Sequence, residues 1–296
     1  MIRPKFLEDG DTIAIVSPSG PIKSDSLDFA IETINSWGLK ASIGKHAFDK
    51  YGVFAGTDAD RAADFQKALN DKKVKAILCA RGGYGAIRIV DLLDFSKFLK
   101  HPKWIVGFSD ITVLHAKIQS IGVESIHGTM AKSFPSVTEK SLKSLHDTLF
   151  GKYSQTLKST KSKFNRAGKC KGELIGGNLS MLYSMRGVPF EYDYTGKILF
   201  IEDLNEYLYH IDRMIQNLKH SGILSRINGL VVGTMSGMKN GVDEYAGAIE
   251  EIILDAVSEY NYPVMFDFPS GHEADNHAMI FGAQHKMNVE GTRLTV

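Results

Sequence analysis

Trp104-Ile105-Val106-Gly107-Phe108-Ser109-Asp110-Ile111-Thr112 begins as an apolar run, reaches a Gly-x-Ser and passes directly into a segment of helical character. The pattern predicts a strand, a sharp turn and a helix, with the Ser109 hydroxyl lifted out at the end of a sheet. Backbone N–H groups of the first helical turn then point into the same space. A serine nucleophile needs access to a carbonyl carbon and donors for the oxyanion that forms on attack. The plainer reading of such a serine is a helix N-cap. The fifth position is Ile111, so the full Gly-x-Ser-x-Gly pattern is absent.

Outward from this stretch, strand and helix signals alternate. Thr12–Val16 is an apolar run closed by the loop Ser17-Pro18-Ser19-Gly20-Pro21, and helical spacing follows from Ser26 to Trp37 and from Asp58 to Leu69. Val74–Ala80 reads as a buried strand, followed by Arg81-Gly82-Gly83-Tyr84-Gly85 and a third helix through Leu93. The helix after Ser109 ends near Gly122. This alternation predicts an α/β fold whose N-terminal domain, over 1–150, is a parallel, Rossmann-like sheet with helices on both faces. Such sheets place their sites in loops at the carboxyl ends of strands. The loops 17–21, 81–85 and 107–110 lie at such ends and are expected to converge.

Residues 151–171 are polar, basic and without helical period, and are expected to be a linker. A smaller, mixed α+β C-terminal domain is expected over 172–296. Its signals are a helix from Leu179 to Met185, a strand Lys197–Ile201 ending in Glu202-Asp203, and a helix from Leu204 to Leu218. A strand Gly229–Met235, a helix from Tyr245 to Ala256 and a terminal hairpin, expected in the tail Ala278–Val296 around Glu290-Gly291, complete it.

The 296 residues suit two domains, and an apolar fraction of 43% is ample for their cores. A net charge of +1 gives no basic field for nucleic acid. Two cysteines, Cys79 and Cys170, make no disulfide framework and fit a reducing compartment. The charged start lacks the continuous apolar stretch of a signal peptide, and no run approaches the ~20 apolar residues of a membrane span. A cytoplasmic protein without membrane or nucleic-acid partners is expected.

Arg81–Gly85 is a Gly-rich loop between strand and helix. Gly83-x-Gly85 begins a dinucleotide fingerprint, but Arg88 stands at the third glycine position, so a nicotinamide oxidoreductase is the weakest alternative. No Gly-Lys-Ser/Thr follows, which excludes a phosphate-binding Walker loop. What remains is a nest of N–H groups for an oxyanion or carboxylate, or a plain turn. His272 sits in a loop after the apolar run Pro263–Phe268 and is a candidate general base. His272-Glu273-x-x-x-His277 mimics a zinc helix, but residues five apart do not share a helix face, so no metal is expected. Glu202 and Asp203 end one strand and Glu206 follows closely; each has a capping or dipole role as its plainer reading. Serine, acid and histidine thus follow in triad order, and the residues alone leave open which acid takes part.

Arg81-Gly-Gly-Tyr-Gly, Gly107-Phe-Ser-Asp-Ile-Thr, His127-Gly128, Gly176-Gly-Asn-Leu, Ile201-Glu-Asp with Tyr209-x-x-Asp212-Arg213, and Gly271-His272 resemble the LD-carboxypeptidase family of serine peptidases. That family includes muramoyltetrapeptide carboxypeptidases and microcin C self-immunity peptidases. The resemblance spans nearly the whole chain. It implies a triad of Ser109, Glu202 and His272 in a cleft between the domains, and favours Glu202 among the acids. The oxyanion hole it implies is the N–H of Asp110 with one from the Gly82-Gly83 loop, here taken as Gly83. Substrate contacts are expected from Arg81, Gly82 and Tyr84. Of these, Arg81 suits a terminal carboxylate because it can bind both oxygens.

The implied reaction is hydrolysis of the bond between the L-centre of a diamino acid and the terminal D-alanine of a murein tetrapeptide, in peptidoglycan recycling. It needs no cofactor. A homodimer is expected by resemblance. Two alternatives stand beside it: cleavage of a carboxamide in a peptide-nucleotide antibiotic, and non-catalytic peptide binding on the same scaffold. The immunity peptidases resemble longer chains with an added loop bearing a stacking aromatic residue. Here the stretch from Asn178 to Lys197 is short and lacks tryptophan, which favours the murein reading.

Overall fold

In the computed structural model, which describes residues 1–152, 156–241 and 245–296, the aliphatic runs of the N-terminal half form a parallel sheet. Its strands are β1 (Thr12–Val16), β2 (Lys40–Ile43), β3 (Val74–Cys79), β4 (Trp104–Gly107) and β5 (Ser125–His127). They lie in the order β5-β4-β3-β1-β2. β3 and β4 are buried almost throughout, as parallel strands covered on both faces must be. β2 and β5 escape a reading of apolar runs. The first is an edge strand with exposed residues, and the second is a three-residue strand of Ser125, Ile126 and His127.

The other strands are β6 (Thr156–Lys158), β7 (Lys169–Asn178), β8 (Ile198–Leu204), β9 (Gly229–Ser236), β10 (Val264–Met265), β11 (Met279–Phe281), β12 (Gln284–Asn288) and β13 (Arg293–Thr295). All but β11 form a second sheet, ordered β10-β9-β8-β7-β12-β13-β6. It is parallel from β10 to β7 and antiparallel from β7 to β6. The expected pairing of a mostly parallel sheet with a mixed one is therefore present. The chain divides into two compact units, Met1–Ser154 with Asn276–Phe281, and Gln155–Asp275 with Gly282–Val296.

Four boundaries differ from expectation. The stretch 151–171 is not a plain linker: β6 pairs with β13 inside it and β7 starts at Lys169, while residues 153–155 lie outside the described residues. Lysines and glycines along β7 hide its strand character. The C-terminal hairpin is β12 with β13, but β11 joins the first sheet, antiparallel to β5. The helix expected from Leu204 starts at Leu208, because β8 runs on to Leu204 and Asn205 then turns at φ +58°. Likewise the helix expected from Tyr245 is Ile249–Ala256.

Candidate active site

In the first unit, β4 ends at Gly107 and Phe108 is still extended. Ser109 then turns at φ +64°, and a 3-10 turn over Ser109–Ile111 leads into the helix Thr112–Ser120. A serine held in the left-handed region is strained, and such strain persists where the surroundings enforce it. His115, one turn into the helix, supplies part of that enforcement. Its Nε2 lies 2.9 Å from the Gly107 carbonyl and its Nδ1 2.8 Å from Ser125 Oγ. A carbonyl only accepts, so Nε2 carries the proton and Nδ1 accepts from the hydroxyl. Burial pushes the His115 pKa down to about 4, which keeps the ring neutral.

The three loops at the carboxyl ends of β1, β3 and β4 do meet. Ser19 Oγ donates to Asp110 Oδ2 at 2.5 Å, and Ala86 N–H donates to the same oxygen at 2.8 Å. Gly20 N–H donates to the Gly82 carbonyl at 3.0 Å, and Arg81 Nη1 to that of Pro21 at 2.9 Å. The Gly82 backbone lies directly against the serine: a Cβ there would sit 3.1 Å from Ser109 Cβ and 3.2 Å from Oγ. Burial raises the Asp110 pKa, against the pull of its Ser19 and Ala86 hydrogen bonds. Gly83 follows at φ +108°, and Tyr84 is exposed with its ring against Phe54.

In the second unit the acid and the histidine are joined. His272 Nδ1 lies 2.6 Å from Glu202 Oε2, with Glu202 fully buried. Burial alone would lower the histidine pKa, but the Glu202 hydrogen bond and charge outweigh it, and the net shift is upward. For Glu202 itself burial dominates and raises the pKa, with His272 pulling the other way. The register between β8 and β9 shifts between Ile201 and Asp203, at the strand end that carries Glu202. Gly271, at φ +134°, lets the histidine loop close on the acid. A Cβ there would collide with Thr234 Oγ1 and come 3.1 Å from Glu202 Oε2.

The neighbouring acids are otherwise engaged. Asp203 accepts from Asn178 Nδ2 (2.8 Å), Ser180 N–H (2.9 Å), Ser180 Oγ (2.8 Å) and Leu204 N–H (2.9 Å). It therefore tethers the start of the helix Leu179–Ser184, not the helix that follows it in sequence. Glu206 accepts from His210 Nδ1 at 2.5 Å. Glu273 accepts from Ser236 Oγ at 2.6 Å, and His277 belongs to the segment that completes the first unit.

Comparison with known proteins bears on these two halves. Residues 13–128 match the model of the LD-carboxypeptidase N-terminal domain, and residues 171–287 that of its C-terminal domain. The chain is 36% identical to the probable murein peptide carboxypeptidase of Bacillus subtilis, over 97% of this chain and 91% of that one. The chain belongs to the LD-carboxypeptidase family. It is thus a hydrolase of the carboxypeptidase class. The crystal structure of the muramoyltetrapeptide carboxypeptidase from Oxalobacter formigenes superposes with a TM-score of 0.86 at 29% identity, covering 96% of this chain and 97% of that one. The microcin C7 self-immunity protein in complex with aspartyl sulfamoyl adenosine gives a TM-score of 0.90 over 100% and 98% of the two chains. At 20% identity, that second likeness is one of fold.

Nothing in the sequence marked Ser19, His115 or the buried Arg61, whose Nη1 donates to the Pro18 and Gly85 carbonyls, as structural supports of these loops. Ser19 lies in the loop 17–21, which is expected to converge on the site. Arg61 and His115 sit in helices, where nothing local separates a buried polar side chain from a solvated one. Among the described residues, His46, Asp49 and Asp60 could gather around a metal. The pairing of His46 Nδ1 with Asp49 Oδ2 at 2.7 Å and the capping box between Asp60 and Thr57 explain that group without one. No described helix is long and apolar enough to cross a membrane.

Proposed function

We propose that this protein is a serine LD-carboxypeptidase that releases the terminal D-alanine of murein tetrapeptides. The observation that carries the reading is the 2.6 Å bond between His272 Nδ1 and Glu202 Oε2. A carboxylate facing Nδ1 holds the proton there and leaves Nε2 as the base. The elbow that presents Ser109 and the family membership support the same assignment. The names of the Bacillus subtilis and Oxalobacter formigenes relatives supply the murein peptide as substrate class.

Ser109 Oγ attacks the carbonyl carbon of the diamino acid while His272 Nε2 takes the hydroxyl proton. Glu202 stabilises the imidazolium. The oxyanion is received by the N–H groups of Asp110 and Gly83. Collapse breaks the C–N bond, and His272 returns its proton to the departing D-alanine nitrogen. Water then attacks the Ser109 ester with His272 again as base, which frees the tripeptide and restores the hydroxyl. Gly82 and Tyr84 contact the substrate, and Arg81 binds the terminal carboxylate. Ser109 is carried by the first unit and Glu202 with His272 by the second, so the reading requires them to act on one substrate.

The test is D-alanine release from an L-Ala-γ-D-Glu-(diamino acid)-D-Ala tetrapeptide, with Ser109→Ala and a chelator in parallel. Wild type is expected to release D-alanine in the presence of chelator, and Ser109→Ala to lose at least about 10⁴-fold in kcat. Equal release by both proteins would remove Ser109 as nucleophile. If wild type releases none, the murein assignment falls. A carboxamide-linked peptide nucleotide and an acylating probe of Ser109 then separate the antibiotic-cleaving and non-catalytic readings.

A further inference from the structure

The peptide unit joining Gly85 to Ala86 is held at both ends by buried charge. Its carbonyl oxygen accepts from Arg61 Nη1 at 2.9 Å, and its N–H donates to Asp110 Oδ2 at 2.8 Å. Arg61 and Asp110 are each only 1% exposed. Both also grip the loop after β1: Arg61 Nη1 donates to the Pro18 carbonyl, and Asp110 Oδ2 accepts from Ser19 Oγ. Gly85 takes φ +138°, and a Cβ there would meet Arg61 Nη1 at 2.5 Å and Phe54 Cδ1 at 3.1 Å. Asp58 balances the Arg61 charge and also binds Arg88, while the Arg61 guanidinium lies 5.0 Å from the Phe54 ring centre.

A surface turn can be fixed by glycine and backbone bonds alone. Taking a guanidinium and a carboxylate out of water is costly unless each is paired and hydrogen-bonded. The location of this pair gives that cost a use. Asp110 directly follows Ser109, and the clamped peptide lies three residues beyond Gly82, whose backbone abuts Ser109. Opposite charges on the two ends of one peptide oppose its rotation, because turning it would break both charge-assisted bonds together. Donors fixed in advance need no reorganisation when negative charge develops.

We propose that Arg61 and Asp110 form a charge clamp on the Gly85–Ala86 peptide, and are positioning residues that aim the Gly82-Gly83 backbone at the oxyanion formed on Ser109 attack. The inference rests on the serine-hydrolase reading above, and adds two side chains that touch neither substrate nor proton.

Asp110→Asn keeps the shape and removes the charge. Arg61→Met removes the other arm, and Arg61→Lys keeps a cation able to reach one of the two carbonyls. Two readouts are taken on the full chain: steady-state D-alanine release, and amide hydrogen exchange at Ala86. Asp110→Asn and Arg61→Met are each expected to lower kcat about 30-fold with KM within about threefold, and Arg61→Lys to recover to within about fivefold of wild type. Ala86 exchange is expected to speed up at least about tenfold in Asp110→Asn. The double variant should lose little more than either single, since both act on one peptide. Wild-type kcat in Asp110→Asn, a change in KM alone, or unchanged Ala86 exchange would overturn the clamp. If a variant fails to fold, Ser19→Ala removes one hydroxyl and is expected to lower kcat about threefold or more; no change overturns the clamp. Should wild type release no D-alanine, the functional reading fails by itself, and Ala86 exchange still decides whether the clamp exists.

Discussion

The Ser109 turn and the Glu202–His272 pair are built by opposite means. The turn is local: Gly107, Ser109, Asp110 and His115 lie within nine residues, and even the loops that brace it are strand ends of one parallel sheet. The acid and histidine are 70 residues apart in sequence. They meet because β8 and the loop after β10 end on the same side of the second sheet, and because Gly271 leaves room for the imidazole. A nucleophile can be written into a short stretch of chain, whereas its base and orienting acid exist only once a sheet has registered. Damage to the first should stay with chemistry, and damage around the second should divide between chemistry and folding.

The sharpest break of that comparison lies in two adjacent carboxylates. Glu202→Gln is expected to lower kcat about 10³- to 10⁴-fold with stability within about 1 kcal/mol of wild type, since Gln keeps the volume but no longer fixes the histidine tautomer. Asp203→Asn should do the reverse. Asp203 is 1% exposed and accepts from Asn178, Ser180 and Leu204. Turning an acceptor into a donor there leaves buried donors facing one another, at about 3 kcal/mol. Urea denaturation beside D-alanine release separates the two. A folded but inactive Asp203→Asn with an active Glu202→Gln would transfer the catalytic role to Asp203.

The pH profile sharpens the same point. His272 must be neutral to act as base, and its pKa lies above the ordinary 6.5: burial opposes the charge, but Glu202, then Asp203 and Glu273, outweigh it. The acid limb of kcat/KM is therefore expected to have its midpoint above pH 6.5, and the limb of residual activity in Glu202→Gln to move downward. Stability follows with a definite sign. A pKa raised on folding adds stability that is fully present below the unfolded value and is lost as pH rises through the folded one. The stability advantage of wild type over His272→Ala should thus shrink as pH climbs past 6.5. An acid limb at or below 6.5 in wild type would mean that Glu202 does not hold the imidazolium in solution.

Legibility in the sequence followed the same division. Val74–Cys79 and Trp104–Gly107 were readable because parallel strands buried on both faces are continuous apolar runs. Ser109 was readable because strand, turn and helix adjoin. β7 was not, since Lys169, Lys171 and several glycines break its pattern, and its identity comes from pairing with β8 and β12. Glu202 could be told from Asp203 only by resemblance, because strand alternation cannot foresee a shift in register between β8 and β9. β11 falls inside the tail that reads as a terminal hairpin, because Met279–Phe281 carries no mark of the distant strand that it joins, β5.

The smallest expected effect tests how the local half stores its geometry. Ser109 sits at φ +64°, where a residue with a Cβ is strained by about 1–2 kcal/mol. Ser109→Gly removes the Cβ and the strain, and gives back about 0.5–1 kcal/mol through the greater freedom of glycine in the unfolded chain. The balance is a gain of up to about 1.5 kcal/mol in a variant that has lost its nucleophile. Ser109→Ala keeps the Cβ and the strain, so it should lack that gain while being equally inactive. Thermal melting of the two side by side isolates the backbone contribution from loss of the hydroxyl. If Ser109→Gly is no more stable than Ser109→Ala, the turn is relaxed. The hold of His115 on Gly107 would then be ordinary packing and not a means of keeping the nucleophile raised.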